Sequence, residues 1–112
     1  MVRQDSISVQ GPTLTSGSNT IAALAVSTAP AIGSEQFGII AQVTSGPGTV
    51  SSPYATAGQY AYAGTSSPST VASVGTPSAT TTYSVRYMAN ISGVTKAGSY
   101  TAAHTYIATG NF

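Results

Sequence analysis

The sequence predicts an all-β protein, an Ig-like two-sheet β-sandwich of about seven or eight strands. Three observations carry that expectation. Near the C-terminus two stretches alternate with period two, which is strand periodicity because successive side chains point to opposite faces. Long helix-forming residues are scarce. Gly, Pro, Ser and Thr punctuate the chain at intervals of about 8–12 residues, the spacing of short strands in sandwiches and barrels.

The expected elements follow in order. Residues 5–10 alternate through Ile7 and Val9 and form a strand, ended by Gly11-Pro12. A polar turn at 16–19 leads into a short strand over 20–27. Residues 29–33 connect it to a strong strand over 36–44, where Phe37, Ile39, Ala41 and Val43 share one face. Gly46-Pro47-Gly48 makes a turn, and neither it nor Gly17 is a phosphate loop, because no Gly-Lys-Ser/Thr follows. Residues 53–63 read as a strand with Tyr54, Tyr60 and Tyr62 on one face and small residues on the other. Loops at 64–70 and 75–79 flank a brief strand at 70–74. The last two strands, 82–91 and 99–109, are joined through a turn at 92–98. One places Tyr83, Val85, Tyr87, Ala89 and Ile91 on a common face; the other does so with Tyr100, Ala102, His104, Tyr106 and Ala108.

With 112 residues the chain is one domain, 1–112, able to bury roughly 65% of its unfolded surface. Charged residues make up only 4% of it, against about 25% in an ordinary soluble domain. The 41% apolar content argues against disorder. A formal net charge of +1 cannot keep identical copies apart, so composition favours self-association. Three scattered cations, Arg3, Arg86 and Lys96, give no footprint for nucleic acid or an anionic membrane. The chain has no cysteine, which excludes disulfides and thiolate metal sites. No apolar run approaches the roughly 18 residues that a spanning helix needs. The first residues carry no apolar stretch of signal-peptide length, which leaves another export route, a leader outside this numbering, or assembly inside a cell. A Ser/Thr-rich, Lys/Glu-poor β-protein suits the extracellular surface.

The stretch Tyr83-Ser84-Val85-Arg86-Tyr87-Met88-Ala89-Asn90-Ile91, with Lys96-Ala97-Gly98-Ser99-Tyr100 and the residues on to Thr109, resembles the closing hairpin of bacterial cell-surface β-sandwich modules. Those modules occur in secreted wall-associated and fibre-forming proteins. The resemblance implies an extracellular surface or filament subunit and carries no catalytic residues. It breaks at His104, where those modules have an apolar residue. Some pilus subunits also close a Lys–Asn amide beside a buried acid; Lys96, Asn90 and Glu35 are the residue types present, but a lysine beside Gly98 reads as a solvated turn residue.

Chemistry-bearing residues are few. His104 is the sole imidazole, and one histidine with two carboxylates, Asp5 and Glu35, makes neither an ordinary metal site nor a local triad. A structural histidine, no cofactor and no enzymatic activity are therefore expected. Asn90-Ile91-Ser92 is a glycosylation sequon. Tyr54, Tyr60 and Tyr62 fit packing, in the core or between subunits, better than stacking on sugar rings, for which Trp is the usual platform. The expected function is a structural subunit of an extracellular filament, pilus-like fibre or surface layer. Its partners are copies of itself, joined head to tail by β-strand addition. Either residues 1–11 serve as donor arm, with Ile7 and Val9 as plugs, or the C-terminal strand ending at Phe112 does. The alternatives are a virion structural protein (capsid, decoration or fibre) and a carbohydrate-binding module of a surface adhesin, for which a glycan is the partner.

Overall fold

A computed structural model describes residues 4–75 and 80–111. Among these residues there is no helix and there are eight strands, all paired antiparallel. They are β1 (Gln4–Gln10), β2 (Thr15–Ser16), β3 (Asn19–Thr20), β4 (Gln36–Ser45), β5 (Thr49–Val50), β6 (Ser69–Val74), β7 (Thr82–Asn90) and β8 (Thr105–Asn111). One sheet has the order β5-β6-β1-β8; β4 pairs with β7, and β2 with β3. The body is elongated, 54 × 25 × 18 Å, and its radius of gyration of 15.4 Å exceeds the roughly 13 Å expected for a compact chain of this length.

The strand over 5–10 forms as expected and lies inside its sheet. Ile7 pairs with Ala72 on one side and Ala108 on the other; Val9 pairs with Ser69 and Tyr106. A bulge between Ile7 and Ser8 leaves Val71 of β6 without a register partner. That extra residue is why consecutive Val71 and Ala72 are both buried, which strict alternation forbids. The period-two reading of 36–44 and 82–91 also holds: Phe37 pairs with Ala89, Ile39 with Tyr87, Ala41 with Val85 and Val43 with Tyr83.

Three expected elements differ. The strand over 53–63 is replaced by turns, with backbone bonds from Tyr54 to Ser51 and from Gln59 to Thr56, and single bridges at Tyr60 and Ala61 only. Gly58, at φ 75°, lies in the left-handed region and breaks the extended run. The strand over 20–27 is an extended segment bonded piecewise. Phe37 N–H donates to Ala22 and Leu24 N–H to Phe37, after which Thr28 and Tyr60 exchange both bonds. The last two strands form no hairpin: β7 belongs with β4 and β8 with β1, and 99–104 contributes one bridge, Thr101 with Thr15. Of the loop expected at 75–79, residues 76–79 lie outside the described residues.

One core joins the sheets. Val9, Val71 and Ala72 from one meet Phe37, Ile39 and Ala41 from the other, with Ile21, Tyr54, Ala61 and Tyr62 from the connections between them. Fully burying an aliphatic side chain contributes about 1.5–3 kcal/mol. Gly64 lets this core close: its carbonyl accepts Gly11 N–H at 3.0 Å, and a Cβ there would stand 2.5 Å from the Val9 carbonyl oxygen. Ile39→Ala should therefore lower stability by about 2–5 kcal/mol. Ile32→Ala, at a fully exposed isoleucine, should change it by less than about 0.5 kcal/mol. Urea denaturation of the two variants checks both values.

Candidate functional site

Where the chain leaves β1, an aromatic knot holds the turn at Gly11-Pro12. His104 lies over Tyr62 with ring centres 4.9 Å apart, stacks on Tyr87 at 5.8 Å and 7°, and meets Phe37 at 5.5 Å. Its Nε2–H donates to the Pro12 carbonyl at 2.8 Å. The Tyr62 hydroxyl donates to the Gly11 carbonyl, also at 2.8 Å. The imidazole thus ties β8 to the start of the first connection, and these contacts account for a histidine on an otherwise apolar face. No group of three or more His, Cys, Asp or Glu side chains able to hold a metal occurs among the described residues.

Burial pushes the Tyr62 phenol up from 10.0 to about 12, and the Tyr54 and Tyr87 phenols add to the rise. Tyr106 is raised as well, by burial first and then by its hydrogen bond to Tyr87. That bond joins the two hydroxyls across the gap between β7 and β8.

β7 and β8 are the outer strands of their sheets, so each has one unpaired backbone edge among the described residues. Tyr87 and Tyr106, on the core-facing sides, remain 50% and 42% exposed. β8 reads Thr-Tyr-Ile-Ala-Thr-Gly-Asn and contains no charge and no proline. Those are the residues with which soluble proteins ordinarily block such an edge. Beside it, between the start of β7 and the far end of β1, lies a groove of about 520 Å³. Ile7, Ala72, Tyr83, Ala108 and Gly110 line it, together with Asp5, Ser73 and Thr81. Ile7 and Tyr83 are half-buried there, while Ala72 remains buried.

The tyrosine row expected at 54–62 is divided. Tyr54 and Tyr62 are in the core. The Tyr54 hydroxyl bonds Ser69 Oγ at 2.7 Å and accepts Ala63 N–H. Only Tyr60 lies in a surface groove, of about 330 Å³, on the outer face of β4–β7 with Gln42, Ser84 and Arg86. Ile7 and Val9, expected as plugs for a neighbour, sit in their own sheet, Ile7 half-buried and Val9 fully buried. Asn90 Nδ2, the atom a glycan would take, donates to Gln36 Oε1 at 2.9 Å.

Gln36 organises this end of the molecule, and periodicity alone passed over it. Its buried amide accepts Ala31 N–H at 2.9 Å and donates to the Ala29 carbonyl at 3.2 Å. Thr95 Oγ1 donates to Glu35 at 2.8 Å. The loops 29–35 and 91–95 are thereby fastened to each other and to the end of the β4–β7 ladder. They expose Ile32, Ile91 and Val94. Lys96 is exposed, so the site brings Glu35 and Asn90 to this tip without enclosing the lysine that an amide crosslink needs. The signal was an isoleucine between Pro30 and Gly33 in a loop, where a polar residue is ordinary.

Comparison with family models, curated proteins and solved structures found no match.

The tyrosine knot has a measurable pH signature. A phenol whose folded pKa stands above its unfolded value leaves stability intact below pH 10.0 and lowers it as pH rises toward about 12. Urea midpoints should be flat up to the unfolded pKa and then fall across that window. Tyr62→Phe should flatten part of the fall and lower neutral-pH stability by about 0.5–1.5 kcal/mol through the lost hydrogen bond. An unchanged alkaline slope in the variant would contradict the assignment.

Proposed function

We propose that this protein is a structural subunit, an Ig-like sandwich that assembles with copies of itself into an extracellular filament or surface layer. The observation that carries this reading is the uncharged, unpaired edge of β8 beside an open groove into the core. An edge of this kind offers a row of N–H and C=O groups to another strand. A net charge of +1 offers little repulsion against that approach. Because β1 already lies between β6 and β8, donation of the 1–11 arm would mean exchange of β1 between copies. Addition at β8 needs no rearrangement and is the simpler route. The C-terminal alternative ends at Phe112, outside the described residues. The Ser/Thr-rich composition supports the extracellular setting; the hairpin on which the likeness of residues 83–109 to surface modules rested does not form.

Sedimentation velocity over a concentration series tests the reading, with electron microscopy of the largest species. The wild type should form open polymers that lengthen with concentration. Ile107→Lys with Thr109→Lys, which charges the β8 edge at exposed positions, should stay monomeric with an unchanged circular dichroism spectrum. A wild type that remains monomeric at high concentration overturns the proposal.

A further inference from the structure

We infer that Tyr87 and Tyr106 are a site of oxidative cross-linking, where a carbon–carbon bond between the two rings staples one sheet to the other. The inference is independent of how copies assemble. All seven tyrosines of the chain lie in the described residues. Tyr54 and Tyr62 are sealed in the core. Tyr60, Tyr83 and Tyr100 are half-buried, and the last two give their hydroxyls to the carbonyls of Ser73 and Lys96. Only Tyr87 and Tyr106 are exposed, and only they bond phenol to phenol.

The strand register explains the meeting. Tyr87 pairs with Ile39, and Tyr106 pairs with Val9. Paired residues share a face of their sheet, and Ile39 and Val9 are both fully buried. The two rings therefore leave their strands on the inner faces and reach toward each other at the rim of the core. β7 and β8 belong to different sheets and do not pair. His104 stacks on Tyr87, and Phe37 packs against it as well. These neighbours hold that ring where its partner can reach it, which favours reaction within one molecule over reaction between two.

The co-reactant is hydrogen peroxide, activated by a haem peroxidase. Each phenol gives up one electron and its hydroxyl proton and becomes a phenoxyl radical. The unpaired electron is shared with the ring carbons ortho to oxygen. One such carbon of each ring joins the other in a new carbon–carbon bond. The hydrogen on each joined carbon then moves as a proton to the phenolic oxygen, which restores both aromatic rings and both hydroxyls. Peroxide takes up the two electrons and two protons and leaves as two waters. The chain has no cysteine, so this phenol pair is a covalent tie available to it where a disulfide is not. The joined residues are 19 apart in sequence, and closing that loop restricts the unfolded chain as a disulfide would. The bond forms on the inner face and leaves the outer backbone edge of β8 unchanged.

The test treats the full-length protein, kept dilute, with hydrogen peroxide and a haem peroxidase. The monomer should become two hydrogen atoms lighter and acquire blue dityrosine fluorescence. Trypsin cuts after Arg86 and Lys96, so Tyr87 and Tyr106 fall in separate peptides, 87–96 and 97–112. Those two peptides should be recovered joined. Tyr87→Phe and Tyr106→Phe keep the ring and remove the hydroxyl, and each should lower that yield by about tenfold or more, because the favoured partner is gone. Tyr100→Phe should leave it unchanged. The linked monomer should unfold at a higher urea concentration than the unlinked one. A monomer without the link overturns the inference. So do links that form only between molecules and increase with concentration, or joined peptides that persist in Tyr106→Phe. Sedimentation of the unoxidised protein reports on assembly separately, so either reading can fail without the other.

Discussion

The fold depends on β1 being hydrogen-bonded along both of its edges. Its partners, β6 and β8, come from the middle and the end of the chain, so this one strand closes long loops that nothing else in the sheet closes. Such contacts cost loop entropy before they return stability. They return it through Val9 and the residues that the bulge turns inward, Val71 and Ala72. β8 is outermost in this sheet among the described residues. The edge on which the proposed assembly relies is thus the outer side of a strand that β1 holds in place.

The second sheet is narrow. β4 has β7 on one side and only fragments on the other, where Ala22, Leu24 and Ala61 bond to it one or two residues at a time. Turns and aromatic rings fill the remaining space. Tyr54 and Tyr62 bring large apolar rings into the core while their hydroxyls bond part-buried backbone and serine groups at its margin. His104 performs a similar task at the periphery, with three aromatic neighbours and one carbonyl. Among the described residues no buried side-chain polar atom lacks a partner. A chain with few charges can reach this state because hydroxyls and amides, rather than ion pairs, meet its polar requirements.

Much of the fold was legible in the residues. The alternation through Ile7–Val9, Phe37–Val43 and Tyr83–Ala89 places the right side chains on the core face of strands that do form. Alternation does not say which strand is the partner. The final two strands look like a hairpin because they are adjacent in sequence, yet each finds a better partner elsewhere. Tyr54 to Tyr62 illustrates the second limit: period two can arise when a turn such as that at Gly58 happens to return two tyrosines to one core. The candidate site was less visible. The nearly uncharged composition led only to an expectation of self-association, and the groove and the tip come from tertiary juxtaposition. Only Ile32, stranded between Pro30 and Gly33, hinted at the tip.

The central claim is that the outer edge of β8 is free in the single chain and covered in the assembled one. Amide hydrogen exchange read residue by residue over 105–111, in dilute and in concentrated protein, addresses it directly. The account predicts that the amides of β8 pointing away from β1 exchange rapidly when dilute and become protected as concentration rises, while those bonded to β1 stay protected throughout. Slow exchange of the outward amides in dilute monomer, or exchange indifferent to concentration, would contradict it.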